Sequence, residues 1–257
     1  MKDQIVGDPR DVGSVAEYYD VWTERYLKHF GSSIQAHRPT LERDLHDYLL
    51  ERIGLRDGKR VLDAGCGVCG PAIHFARQRD IRIEGVTISE AQASMAIERV
   101  DKAGLSDRIH VRVGDFHELS RLYPAESFDV VYFLESISHS PDPKAVLRGA
   151  FEILEPGGIL YIKDYFVRPC ETHEERSRVL RVVENVDRLF VTRTPEADDI
   201  LADLRNSGFL PVWVEQPRIE VDNTRWQAFE REHGFDLFDG QDSFDWSQWL
   251  EIKFQKP

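Results

Sequence analysis

The chain has 257 residues, enough for one sizeable core, and 41% hydrophobic with 31% charged residues is the composition of a globular protein. Acidic residues outnumber basic ones 46 to 33, a formal net charge of −13 that argues against the broad basic footprint nucleic acid requires. No apolar run approaches the roughly 20 residues of a membrane span, and the polar stretch Met1 to Arg10 reads as no secretory leader. A cytoplasmic protein acting on a small molecule is expected, with self-association left open.

Residues 1–13 read as a frayed lead-in. Tyr18, Trp22, Tyr26 and Phe30 then recur at intervals of four, one face of a helix that ends at Gly31. Leu41, Leu45, Tyr48, Leu49 and Ile53 mark a second amphipathic helix, stopped by Gly54 and by Asp57-Gly58. From there strand and helix alternate. Arg60 to Ala64 reads as a buried strand, followed by the loop Gly65 to Gly70 and a helix through Arg79. Arg82 to Ile88 is a second strand, and Ser89 caps a helix running to about Ala103. Strands follow at Ile109 to Val113 and Phe128 to Leu134. Pro143 to Leu154 is a helix closed by Pro156-Gly157-Gly158, and Ile159 to Tyr165 is a fifth strand. Such alternation predicts βαβ units and a doubly wound α/β fold with a mostly parallel sheet.

After Val167 the rhythm breaks. Glu174 to Phe190 carries a helical stripe, Thr194-Pro195 opens another helix that Gly208 ends, and Phe209 to Glu215 and Trp249 to Phe254 read as closing strands with a helix between them. One domain is expected over residues 1–257. It comprises an N-terminal helical lid (14–54), a cofactor-binding core (59–165), a substrate-cap insertion (168–192) and a C-terminal part of the sheet (193–257).

The loop Gly65-Cys66-Gly67-Val68-Cys69-Gly70 joins the first strand to the first core helix, where glycines let backbone approach a ligand closely. Taken alone, GxGxxG equally suits a nicotinamide or flavin dinucleotide. Cys66 and Cys69 lack the partners of a zinc site, so a packing role is expected for them, and no dedicated metal motif appears. Three features favour another ligand. Asp63 precedes the first glycine by two residues, where its carboxylate suits a cationic amine and would repel a pyrophosphate. Gly114-Asp115-Phe116 follows the third strand, with an acid for an adenine amino group and an aromatic for its ring. Leu154-Glu155-Pro156-Gly157-Gly158 precedes the fifth strand.

Taken in order over residues 59–165, these motifs resemble the class I S-adenosylmethionine (SAM)-dependent methyltransferases. The resemblance implies a Rossmann-like sheet and SAM held by Asp63, Gly65, Gly67, Ile88, Asp115, Phe116 and Glu135. Thr87 stands where many members carry an acid for the ribose, and Glu84 falls three residues away on the strand's opposite face. The segment Gly85-Val86-Thr87-Ile88-Ser89-Glu90-Ala91-Gln92 is similar to the branch containing sterol, tocopherol and prenyl diphosphate C-methyltransferases. That likeness implies that Thr87 and Gln92 serve the ribose and methionine ends.

Two further segments carry the same resemblance. Glu135-Ser136-Ile137-Ser138-His139-Ser140-Pro141-Asp142 is similar to tocopherol-type enzymes. Tyr18-Tyr19-Asp20 through Phe30-Gly31-Ser32-Ser33 is similar to the sterol enzymes' lid. Methyl transfer to an isoprenoid alkene in specialised metabolism is therefore expected, with O- or N-methylation or a non-catalytic relative as alternatives. Glu135, His139 and Tyr19 are the expected catalytic residues, and Tyr18, Tyr19 and Trp22 the aromatic wall beside a carbocation. Glu135 as a mere cofactor ligand, His139 as a loop hydrogen-bonder and the aromatics as a clamp remain open. If the acceptor is a diphosphate, Arg38, Arg168, Arg176 and Arg178 are the candidate cations, or Mg2+ is recruited.

Overall fold

The computed structural model describes residues 12–238, 240 and 242–257; of the expected lead-in, residues 1–11 lie outside the described residues. Helices α1 (Val12–Phe30) and α2 (Glu42–Ile53) precede β1 (Arg60–Ala64), α3 (Gly70–Gln78), β2 (Arg82–Thr87), α4 (Glu90–Lys102) and β3 (Ile109–Val113). A 3-10 turn at Phe116–Glu118 runs into α5 (Leu119–Leu122), neither of which the sequence pattern announced. Next come β4 (Phe128–Leu134), a 3-10 turn at Ile137–His139, α6 (Pro143–Ile153) and β5 (Leu154–Val167). The chain closes with α7 (His173–Phe190), α8 (Ala197–Asn206), β6 (Leu210–Glu215), α9 (Thr224–His233) and β7 (Ser247–Gln255).

Among the described residues the strands form one sheet in the order β3-β2-β1-β4-β5-β7-β6. The first five pair in parallel, and β7 runs antiparallel to both β5 and β6. The two faces of β4 show why both sides are covered. Val131 and Phe133 enter a core with Leu147 of α6 and Leu204 of α8. Val130, Tyr132 and Leu134 enter the opposite core with Leu49 of α2, Phe75 of α3 and Ala96 of α4. Strand order reverses between β1 and β4, so the carboxyl ends of these strands frame the crevice where such sheets bind ligands.

Two boundaries differ from the sequence expectation. Thr194 and Pro195 do not open α8: the Thr194 hydroxyl and amide both bond Asp187, and the Pro195 carbonyl accepts from Val167 N at 3.0 Å. The helix starts two residues later, after Glu196. Pro156-Gly157-Gly158 does not precede β5 but interrupts it. Leu154 is already paired with Phe128, and Gly157, at φ +79°, lets the chain bulge before Ile159 pairs with Val130. No helix among the described residues is long and apolar enough to cross a membrane.

Helix α1 buries Tyr18, Trp22, Tyr26 and Phe30, as its spacing demands, against Phe229 of α9, Val186 and Phe190 of α7, and Phe235. Each such side chain contributes about 1.5–3 kcal/mol by area. The helix also crosses the start of α4, where Asp20 Oδ1 accepts from Ser89 Oγ at 2.5 Å and Ala91 N at 3.2 Å. Ser89 in turn accepts from Gln92 N, so an α1 carboxylate completes the α4 cap.

Candidate active site

Two neighbouring cavities open at the carboxyl ends of β1, β2 and β4. The first is lined by Asp63, Gly65, Gly67, Thr87, Ile88, Gln92, Asp115, Phe116 and Glu135, every residue expected at the cofactor. Glu84 lies outside that lining, facing His110 and Arg112 on the surface. The loop takes its shape from tight packing. Gly65 sits at φ +88°, and a Cβ there would collide with the Ser136 side chain, whose Oγ donates to Ala64 O at 2.7 Å. Gly70 faces the Ser32 carbonyl so closely that no Cβ fits. Cys66 and Cys69 are buried free thiols beside Gly85, in keeping with a packing role.

The chemistry of this cavity suits a cationic amine. Asp63 is 3% exposed and its Oδ2 is buried with no hydrogen-bond partner. Burial pushes its carboxyl up to about 7. Thr87 Oγ1 donates to Gln92 Oε1 at 2.8 Å, a neutral polar pair on the cavity wall. Asp115 accepts from His117 N at 2.9 Å and from His117 Nδ1 at 2.5 Å. Burial opposes its ionisation, but these His117 bonds hold it below the usual carboxylate range. Phe116 packs T-shaped against Phe133 and lines the cavity.

The second cavity, about 440 Å³, adjoins the first across Tyr19, Ile34, Gln35, Glu135 and His139. Its walls include Tyr18, Tyr26, Phe30, Tyr165, Phe190, Trp226, Trp246 and Trp249, and among the described residues its lining holds no lysine or arginine. Trp22 is in neither lining: its ring packs on Phe229, His233 and Phe235, because the α1 stripe is wider than the cavity. Arg38 is also elsewhere. It is 1% exposed and donates to Phe30 O at 2.6 Å and Ser33 O at 2.8 Å, closing the end of α1. Arg168 pairs with Glu175, Arg176 with Glu196, and Arg178 lies over Phe244. None of the four candidate cations lines the second cavity.

Glu135 sits where β4 ends, in the left-handed region at φ +54°, a strained conformation for a non-glycine residue. Its carboxylate is bound on several sides. Oε2 accepts from Ala36 N at 2.6 Å, and Oε1 accepts from His37 N at 3.4 Å and from Lys163 Nζ. Lys163, fully buried on β5, also donates to His37 O at 2.9 Å and Gln35 Oε1 at 3.1 Å. Glu135 and Lys163 thus clasp the segment 35–37 that follows α1 over the junction of the cavities.

His139 is held differently. Its Nδ1 lies 3.0 Å from Val191 O, and a carbonyl only accepts, so Nδ1 carries the proton and Nε2 a lone pair. Val191 offers that carbonyl from an αL conformation at φ +52°, unusual for a β-branched residue. The Tyr19 hydroxyl stands 2.8 Å from Nε2, and burial raises Tyr19 well above its ordinary pKa, so it donates. Burial also lowers His139 to about 4, leaving it neutral at physiological pH. Beneath the turn, Asp164 accepts from Ser138 N at 3.2 Å; burial, reinforced by Glu135, pushes its carboxyl up to about 7.

Sequence reading missed Asp20, Lys163, Asp164 and Val191. Lys163-Asp164 in an otherwise apolar strand was the available signal; the others depend on contacts far apart in sequence.

A family model described as a methyltransferase domain matches residues 55–201. Over 173 residues the chain is 38% identical to the 27-O-demethylrifamycin SV methyltransferase of Amycolatopsis mediterranei, covering 66% of this chain and 61% of that one. It is 28% identical over 202 residues to a sterol 24-C-methyltransferase of Aspergillus fumigatus, covering 75% and 52% respectively. The chain thus spans about half to three fifths of the length of these curated relatives. Among solved structures, the [4+2]-cyclase SpnF superposes with a TM-score of 0.78 at 23% identity, covering 95% of both chains. Geranyl diphosphate C-methyltransferase from Streptomyces coelicolor A3(2), in complex with Mg2+, geranyl diphosphate and S-adenosyl-L-homocysteine, superposes with a TM-score of 0.72 at 15% identity. It covers 98% of this chain and 99% of its own, and both structures speak for the fold alone. The chain belongs to the class I SAM-dependent methyltransferases, and sterol C-methyltransferases are among the relatives it resembles.

Proposed function

We propose that the protein transfers a methyl group from SAM to a bulky acceptor that carries no anionic group, with His139 as the base. The observation that carries this reading is the neutral His139 Nε2 lone pair at the junction of the two cavities. SAM, when bound, supplies an electrophilic sulfonium methyl. Asp63 holds its amine, Thr87 and Gln92 its ribose or methionine portion through neutral hydrogen bonds, and Ile88, Asp115 and Phe116 its adenine. Lid helix α1 and the clasped segment 35–37 exclude water from the reacting atoms. An acceptor hydroxyl takes the place of the Tyr19 hydroxyl on Nε2. As its oxygen gains the methyl, its proton passes to Nε2.

A second reading, methylation of an alkene carbon, is favoured by the aromatic walls Tyr18, Tyr19, Tyr165 and Trp249, which suit a developing cation. Glu135 then adds negative charge and His139 removes the proton. In both readings Glu135 positions the clasp, and a prenyl diphosphate lacks a cationic partner in the described lining.

The test is label transfer from methyl-labelled SAM by the full chain. Its acceptor panel holds uncharged polycyclic phenols and alcohols, sterols, prenyl alcohols and their diphosphates. Label on uncharged acceptors supports the proposal. Turnover of a diphosphate in preference to its own alcohol overturns it.

A further inference from the structure

On the outer side of the aromatic cluster, the C-terminal ends of α1 and α9 meet. His29 of α1 and Glu232 and His233 of α9 each offer one ligand atom, and these atoms all lie within 4.8 Å of one another. The Nε2 atoms of both histidines are buried and have no hydrogen-bond partner. Glu232 Oε2 stands 3.0 Å from His29 Nε2, yet without the alignment of a hydrogen bond. Two buried imidazole nitrogens without hydrogen-bond partners, close to each other and to a carboxylate, make a donor set suited to a metal ion.

We infer that His29, Glu232 and His233 form a Zn2+ site that staples the lid helix to α9. Two imidazoles and one carboxylate suit Zn2+, with water as the fourth ligand. Tetrahedral bonds of about 2.0–2.1 Å place ligand atoms roughly 3.3 Å apart, so side-chain rotations of about an ångström close the site. The competitor is Lys28, whose Nζ lies 2.6 Å from Glu232 Oε1; at 66% side-chain exposure it leaves at little cost. Of the other nearby cations, Arg25 lies over the Trp22 ring at 4.6 Å and Arg225 donates to His29 O at 3.2 Å.

The site bears on the acceptor cavity. Tyr26 and Phe30 of α1 and Trp226 and Glu230 of α9 are cavity walls. An ion joining the two helix ends fixes the spacing of those walls without touching the reacting atoms.

The experiment is a titration of the EDTA-treated full chain with ZnCl2 by calorimetry, together with thermal unfolding and the visible spectrum of the Co2+ form. One equivalent should bind in the micromolar range or tighter, raise the unfolding temperature by several degrees, and give tetrahedral Co2+ bands without thiolate charge transfer. Glu232→Gln, at an exposed position, should fold as the parent does and lose at least tenfold in affinity; His29→Gln should lose more. No Zn2+ binding by the parent overturns the inference. So does binding that survives both substitutions, or a thiolate signature pointing to Cys66 and Cys69.

Discussion

Cofactor affinity should depend steeply on pH, and Asp63 sets the slope. Burial holds its carboxyl at about 7 in the empty cavity, whereas the bound amine needs it ionised. At pH 5 only about 1% of the chains carry the charge, so the apparent Kd should be about 100-fold weaker than at pH 8, or ~2.7 kcal/mol. The sign follows from the raised pKa. Binding selects the ionised form, so affinity falls as pH falls below about 7 and levels off above it. Stability of the empty fold runs the other way: the raised carboxyl favours folding most below pH ~4, and that contribution is lost as pH rises through about 7. Calorimetry with S-adenosylhomocysteine from pH 5 to 8 in two buffers of different ionisation heat reads both the slope and the proton. About 0.9 proton should be released per ligand bound at pH 6. Asp63→Asn should flatten the profile, abolish the release and weaken binding at pH 8. A flat profile in the parent, or a slope that persists in Asp63→Asn, refutes the argument.

Further expectations follow from the same geometry. His139→Ala should lower kcat by about 10²–10³-fold while leaving the Kd of S-adenosylhomocysteine within about threefold, and Tyr19→Phe should cost about tenfold or less; steady-state kinetics and calorimetry decide. His139, held near pKa 4, should impose no loss of kcat between pH 8 and pH 5.5 once cofactor is saturating, and a loss centred near 6.5 would contradict its burial. Glu135→Gln strips the buried Lys163 of its counter-charge, so denaturant unfolding should show a loss of about 3–5 kcal/mol; unchanged stability with turnover abolished would return Glu135 to the chemical step. Gly70→Ala drives a Cβ into the Ser32 carbonyl and should weaken cofactor binding at least tenfold by lifting the segment after α1, whereas unchanged affinity would show that this segment does not shape the cofactor cavity.

Much of this architecture was legible in the residues because its causes are local. The runs 60–64, 109–113 and 128–134 are strands with the expected bounds, since each is a short apolar or alternating run between turn residues. The gathering of Asp63, Gly65, Thr87 and Asp115 around one cavity was legible for a related reason: all stand at strand ends, where chain order alone brings them together. What failed was non-local. A period of four put Trp22 on the buried face of α1 but did not say that α9 would fill that part of it. Arg38 carried the charge expected of a substrate ligand, yet the carbonyls left open by the end of α1 claimed it first. Glu135 and His139 were found as a pair, but their roles turn on Lys163 and on the Val191 carbonyl, 28 and 52 residues further along.

The central claim is that Asp63 and Asp115 fix the two ends of SAM so that its reactive centre faces the acceptor cavity at His139. The most direct test is an experimental structure of the full chain with S-adenosylhomocysteine. The account predicts the amine on Asp63, the ribose beside Thr87 and Gln92, the adenine against Phe116 with its amino group on Asp115, and the sulfur turned toward Tyr19 and His139. A ribose held by Glu84, or a sulfur turned away from His139, would contradict it.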